Sequence, residues 1–198
     1  MNIRKSNKIS IKKSINSSLI LIIIGILVGI LSKYLDNNNN ILDIGNFLSD
    51  KSIWILLGIV ISVYSSSPIK AGINVLVFLL SMCVSYHLYT IMFNHFNPLS
   101  YMKYWYILSI LSFIPGYICW YAKETGIIPS IISTIIYLVS FQSCFAVGMW
   151  YFDTKGILYT ITFIFIVVVL YKDYKVTIPS LLLGLLLSFI IRIPYIAG

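Results

Sequence analysis

Residues 71–102, AGINVLVFLLSMCVSYHLYTIMFNHFNPLSYM, run without a single formal charge. At about 1.5 Å of rise per residue, about 20 residues cross a hydrocarbon layer about 30 Å thick, so this run is long enough to span a membrane. Read as a helix, it places Asn74, Ser81 and Ser85 on one side and Cys83, His87 and Thr90 on nearly the opposite side. A helix that is polar on two opposite sides faces lipid on either only at a cost. This run is therefore expected at the centre of a membrane bundle.

Further uncharged stretches lie on both sides of it, at 14–32, 52–69, 104–122, 125–152, 156–171 and 176–191. Only 10% of the chain is charged and 59% is hydrophobic, too little polar surface for a water-soluble domain of 198 residues. The expected fold is an all-α integral membrane bundle of seven transmembrane helices. They cover about 15–34, 52–67, 70–93, 103–122, 127–150, 156–172 and 176–194. Six is the alternative, if the first apolar run is a cleaved signal or two short segments fail to cross. Residues 1–14 form a basic tail and 15–198 a single polytopic domain, leaving no room for a soluble catalytic module.

The basic residues give an orientation. A cytoplasmic N-terminus puts 9 basic and 2 acidic residues inside, against 5 and 4 outside, and five of the nine come from Arg4, Lys5, Lys8, Lys12 and Lys13. The net charge of +8 therefore reads as topology and attraction to anionic lipid, not as a nucleic-acid surface. Aromatic clusters at Tyr101, Tyr104–Tyr106 and Trp150–Phe152 suit one interface, and Tyr117, Trp120 and Tyr121 the other. Residues 41–48 of the longest loop carry enough apolar side chains to lie on the membrane surface or form a lid.

Helices in lipid associate through small residues and close backbone approach. Gly25 and Gly29 form a G-x-x-x-G pair. Trp54, Gly58, Ser62 and Ser66 recur at intervals of four, as do Ser140, Cys144 and Gly148, while Ser109, Ser112, Gly116 and Cys119 share one stripe. Pro115-Gly116 is expected to kink its helix, framing a cavity or a hinge. Pro179 is expected in a first turn, where its missing N–H costs little.

Catalytic signatures are absent from the sequence. There is no H-E-x-x-H, G-x-S-x-G or P-loop, and no acidic residue lies mid-span. The three cysteines show neither C-x-x-C nor zinc spacing, so no metal and no cofactor is expected. The one suggestive pair is Cys83 and His87, at i and i+4, which lacks an orienting third group. The expected ligand-binding residues are Asn74, His87, Tyr89, Gln142, Trp150 and Asp153, the hydrogen-bonding groups at membrane depth and the aromatic and acidic groups beside them. The expected function is binding or transport of a small polar or amphipathic solute. Alternatives are an accessory membrane subunit with partner subunits, and an intramembrane cysteine enzyme using Cys83 and His87.

The run Ser66 to Val75 continuing to Ser85-Tyr86, the later Ile118 to Gly126, and Gly25 to Gly29 together resemble a family of small multi-pass bacterial membrane proteins of unknown function. The resemblance spans about residues 16–190. It implies a bacterial plasma membrane and no particular activity. The architecture is also similar to that of substrate-binding membrane subunits of vitamin-uptake transporters, which usually have six spans. In size, and in having Cys and His, the chain is similar to a peptide-processing cysteine membrane protease of quorum sensing, but with a different order and spacing, so no catalytic residues carry over.

Overall fold

A computed structural model describes residues 4–7, 10–37, 44–148 and 150–191. It is mostly helical. In chain order the elements are α1 (Ile11–Asn37), α2 (Ile44–Ser49), α3 (Lys51–Tyr64), α4 (Pro68–Asn94), α5 (Leu99–Leu111) and α6 (Phe113–Cys119). A 3-10 turn (Trp120–Lys123) follows, then α7 (Ile127–Cys144), β1 (Phe145–Val147), β2 (Phe152–Thr154), α8 (Ile157–Leu170) and α9 (Tyr174–Ile190). Four rods are long and apolar enough to cross a membrane: Ile11–Asn37, Pro68–Asn94, Leu99–Lys123 and Ile127–Cys144. Three shorter apolar helices, α3, α8 and α9, have 14, 14 and 17 residues.

Local chemistry sets the helix ends. Asp50 caps α3 by accepting from the Ser52 amide at 2.7 Å. Ser67 caps α4 and Pro68 occupies its first turn, where a missing N–H costs nothing. Gly126 and Gly156 precede α7 and α8 with φ of 136° and 146°, a backbone region that only glycine enters freely. α5 ends at Leu111, four residues before Pro115: the proline cannot donate to the Leu111 carbonyl and its ring crowds it, so the rod breaks at Ser112.

Two expectations are corrected, and the described part of a third segment, 41–48, takes a defined form. The helix predicted over 127–150 stops at Cys144, and the chain turns back as a two-stranded antiparallel hairpin with Phe145 opposite Thr154 and Val147 opposite Phe152. The bundle is thus not purely α. Phe145, Val147 and Phe152 are strand-forming residues. The Phe145 ring lies 4.9 Å from that of Phe152 and 5.2 Å from that of Phe163 of α8, which ties the hairpin to the bundle. Pro179 lies inside α9, not in its first turn, because that helix begins at Tyr174. The segment read as surface-lying or lid-forming is a short helix, α2, over its described part, packed against α1 and α3. Its residues 41–43, like 192–194 of the last predicted span, lie outside the described residues.

The packing differs from that of a soluble domain in two respects: small polar residues are buried beside the apolar core, and large apolar ones cover the outside. Serine and threonine are buried, among them Ser32, Ser62, Ser85, Ser109, Ser140, Thr162 and Ser188. Ile23 and Leu27 of α1 and Leu183 and Leu186 of α9 face outward. An apolar outer face over an interior that mixes apolar and small polar residues is compatible with a chain solvated by lipid.

α1 lies along α4, with Gly25 and Gly29 against the backbone at Phe78 and Met82; a methyl at Gly25 would sit 2.6 Å from the Phe78 carbonyl oxygen. α4 meets α6 where Gly116 touches Val75 and Gly72 touches Phe113. α7 and α9 close on Gly184, where a methyl would lie 2.8 Å from Tyr137 Cβ. Both polar sides of α4 are occupied within the chain. Asn74, Ser81 and Ser85 face α1, while Cys83 and His87 face α5. α3 packs against α4 and α6 on one side and against α7 and α8 on the other. Leu56, Ile59 and Val63 pack with Ile136, Phe141, Phe163 and Ile166, and Ser62 Oγ donates to the Gly116 carbonyl at 2.6 Å.

Candidate functional site

The six residues expected to bind a ligand occupy different parts of the fold. His87 is buried in α4. Its Nδ1 lies 2.8 Å from the Tyr106 hydroxyl and its Nε2 3.0 Å from Asn97 Oδ1. Tyr89 stacks on Phe93 at 4.4 Å. Gln142 Nε2 donates to the Ser188 carbonyl at 3.1 Å and also to that of Ile191, tying the end of α7 to α9. Trp150, 91% exposed, stands on the hairpin tip, and Asp153 is exposed on β2, where it accepts from the amide of Thr154. Asn74 sits near the opposite end of the bundle in a network described below. Cys83 and His87 share one face of α4, but their hydrogen bonds run to α5 and the loop before it rather than to each other: Cys83 Sγ lies 3.1 Å from Ser109 Oγ.

A different feature stands out. α3, α4, the interrupted rod α5–α6 and α7 line a half-open cavity of about 390 Å³. Its walls come from Ile55 and Gly58 of α3, Val75 and Leu79 of α4, Pro115 of α6 and Val139 of α7. The break above Pro115 belongs to this wall. Ser109, Ser112, Pro115 and Gly116, on either side of that interruption, all line the space. Gly58 leaves the opposite wall open, since a methyl there meets only Val75 Cγ1, at 3.7 Å.

Chemically the chamber is a hydrocarbon slot. Its serine hydroxyls are already committed: Ser109 Oγ donates to the Trp105 carbonyl at 2.8 Å and Ser112 Oγ to the Ser109 carbonyl at 2.6 Å. A small polar solute would lose water there and gain little in return. An alkyl or prenyl chain gains about 0.8 kcal/mol per buried methylene relative to water. The end of the lining where α3 begins differs. There Lys51 is joined by Trp54 and Trp105, whose rings tilt together at 4.9 Å, and Trp54 Nε1 donates to the Leu48 carbonyl of α2 at 2.9 Å. Lys51 is the charged side chain of the lining. An ammonium and two indoles at one end of an apolar slot match an amphiphile with an anionic or polar head.

Sequence reasoning marked the stripe containing Trp54 and Gly58, and the Pro115 kink, but did not join them. What joins them is α3 packed across α6 through Ser62, a contact between segments 54 residues apart. Of the small-residue stripes expected to serve helix contacts, Gly25–Gly29 on α4 and Ser62 and Gly116 between α3, α4 and α6 are used within the chain itself, while the contact of α9 on α7 is made by Gly184, which belongs to none of those stripes. No groups of His, Cys, Asp or Glu placed to hold a metal ion occur among the described residues.

No protein-family model, no curated protein and no solved structure matches this chain.

Proposed function

We propose that this protein crosses the membrane seven times with a cytoplasmic N-terminus and binds, or passes, a small amphipathic molecule drawn from the bilayer. The observation that carries the reading is the apolar chamber of about 390 Å³ between α3, α4, α5–α6 and α7, with Lys51, Trp54 and Trp105 at one end. Four rods are long enough to cross unaided. The 14-residue α3 and α8 rise about 21 Å and the 17-residue α9 about 26 Å, so they cross with local thinning and with flanking lysines and tyrosines reaching into the headgroups. The excess of basic residues on one side supports the orientation.

The ligand is a single-chain amphiphile, with its apolar part in the chamber and its head beside Lys51. Tryptophan fluorescence reads this directly, because Trp54 and Trp105 line the slot. In a Trp150→Phe background, a fatty acid brominated on its chain is expected to quench emission saturably, and Gly58→Leu to abolish the saturable part. Saturable quenching that survives Gly58→Leu would overturn the assignment of the chamber. Topology is tested separately. A cysteine at Asp153 should react with an impermeant maleimide from outside intact cells, and one at Lys12 only after lysis; the reverse pattern would overturn the orientation.

A further inference from the structure

At the end of the bundle opposite Lys51, the N-terminal residues fold back over the helices. The Asn7 amide donates to the Ser66 carbonyl at 2.9 Å. Arg4 reaches further: its guanidinium donates to the Trp120 carbonyl at 2.6 Å and the Val63 carbonyl at 2.9 Å and lies 4.3 Å from the Trp120 ring centre. Between this strap, α1 and the α3–α4 turn lies a second cavity, of about 520 Å³.

Its lining carries three cations, Arg4, Lys13 and Lys70, and no carboxylate. Beneath them runs a hydrogen-bond chain of fixed polarity. Lys70 Nζ donates to Ser18 Oγ at 2.6 Å, so that hydroxyl turns its proton to Asn74 Oδ1 at 2.8 Å. The Asn74 amide then donates from Nδ2 to Ser65 Oγ at 3.0 Å, and Ser65 donates to the Ile61 carbonyl at 2.7 Å. The chain consumes one of the three N–H groups of Lys70 and leaves the other two available. Arg4 spends donors on two main-chain carbonyls and keeps its charge. Glu124 acts on it through space without an ion pair, and burial pulls the guanidinium below its ordinary pKa. All three charges that line this cavity are of one sign, so an anion entering it meets cations alone.

We propose that this cavity is a binding site for an anionic phosphate group. Lysine ammonium groups and an arginine fork are the donors that phosphate oxygens take up, and charge-assisted bonds of this kind are about twice as strong as neutral ones. Ile20, Leu21 and Val60 continue the lining as an apolar wall, which suits a phosphate attached to a lipid. This site does not depend on the apolar chamber, and the two stand or fall separately.

A diffuse basic surface predicts that every tail lysine matters equally, whereas a built site does not. Lys12 lies one residue from Lys13, is exposed, and is not part of the lining. The test therefore compares the full-length wild-type chain with Lys70→Gln, Lys13→Gln and Lys12→Gln, all at matched charge loss. Each is placed in nanodiscs of phosphatidylcholine alone or with one-fifth phosphatidylglycerol, released into detergent, and examined by native mass spectrometry for retained lipid. A parallel arm measures thermal stability in phosphatidylcholine nanodiscs with inorganic phosphate at 0 to about 10 mM, at constant ionic strength with chloride. The wild type and Lys12→Gln are expected to keep one phosphatidylglycerol, or to gain stability with phosphate. Lys70→Gln and Lys13→Gln are expected to lose at least tenfold of that binding. Retained phosphatidylglycerol without a phosphate response identifies the headgroup as the source, and a phosphate response alone identifies the free ion. Equal loss in all three variants, or no preference for phosphatidylglycerol together with no phosphate response, would overturn the proposal. Lys13 is exposed, so its variant keeps the test readable if Lys70→Gln fails to fold.

Discussion

Gly25 and Gly29 on one side of α4 and Gly58 on the other have opposite surroundings. At the α1–α4 seam the two helices approach until a methyl at Gly29 would overlap Ser85 Oγ and the Met82 carbonyl. Across α4, Gly58 of α3 faces empty space, with Val75 Cγ1 at 3.7 Å. In the seam the missing side chain brings backbones together; in the chamber it keeps a cavity from closing. The difference comes from the neighbours. α1 and α4 are long, uninterrupted and adjacent, whereas α3 is short and meets a rod interrupted at Ser112, ahead of Pro115. The same residue type therefore closes a contact at Gly25, Gly29, Gly72 and Gly116 and leaves a pocket at Gly58, according to what its neighbours present.

The comparison breaks first at the seam. Gly29→Ala should cost about 1–3 kcal/mol, the usual range for overpacking a filled interface, and Gly29→Leu should leave little monodisperse protein in detergent. Thermal unfolding followed by circular dichroism reads both. If Gly29→Leu unfolds at the wild-type temperature, the seam does not exist as described. Gly58→Leu is the counterpart. It should unfold within a few degrees of wild type and yet lose at least tenfold in affinity for the brominated fatty acid. A large fall in unfolding temperature would mean that the chamber is closed in solution.

Much of this contrast was legible in the chain, though unevenly. The uncharged runs marked the rods, because a helix in lipid must be apolar over its whole crossing length. The two polar sides of α4 were readable from their angular spacing, and each now meets a partner, α1 through Asn74 and Ser85 and α5 through Cys83 and His87. The hairpin after Cys144 was not readable. Phe145, Val147 and Phe152 are as apolar as any helical residue here, and only their pairing with each other and with Phe163 makes them strands. The chamber was hidden for a related reason: Leu79, Val139 and Ile55 look the same whether they pack tightly or line a void. Arg4 was hidden among five similar tail residues, and nothing local distinguishes the one that reaches the Trp120 and Val63 carbonyls. His87 and Gln142 were singled out as hydrogen-bonding groups, but their bonds join elements of the bundle, which spacing along one helix does not reveal.

Ser62 tests the edge of the chamber at smaller amplitude. Its hydroxyl donates to the Gly116 carbonyl at 2.6 Å, next to Pro115, and so holds α3 against the bent part of the rod. Hydrogen bonds between helices in membranes are worth about 0.6 kcal/mol on average and up to about 1.7, so Ser62→Ala should lower stability by that order. It should also weaken fatty-acid binding slightly, because the wall it positions becomes looser. Unchanged stability together with unchanged binding would show that α3 is held there by packing alone.

The smallest effect belongs to the second seam, where α7 meets α9 at Gly184. Lys172, in the turn between α8 and α9, donates to Ser133 Oγ of α7 at 3.1 Å and so ties that turn to the seam. Burial pushes its pKa down from 10.5 to about 8, with Glu124 pulling the other way and Lys123 adding to the depression. In the folded chain the ammonium is therefore disfavoured. Between about pH 8 and about 10.5 the unfolded chain holds more protons at this site, and stability contributed here rises with pH across that window. The side chain is only partly buried, so solvent screening keeps the amplitude small. The measurement is the unfolding temperature of the wild type minus that of Lys172→Gln, followed from pH 7 to pH 10. The difference should shift in favour of the wild type as pH rises. A shift in the opposite direction would mean that the carboxylate of Glu124 governs this lysine, making the α7–α9 seam an ion-paired contact in place of a packed one.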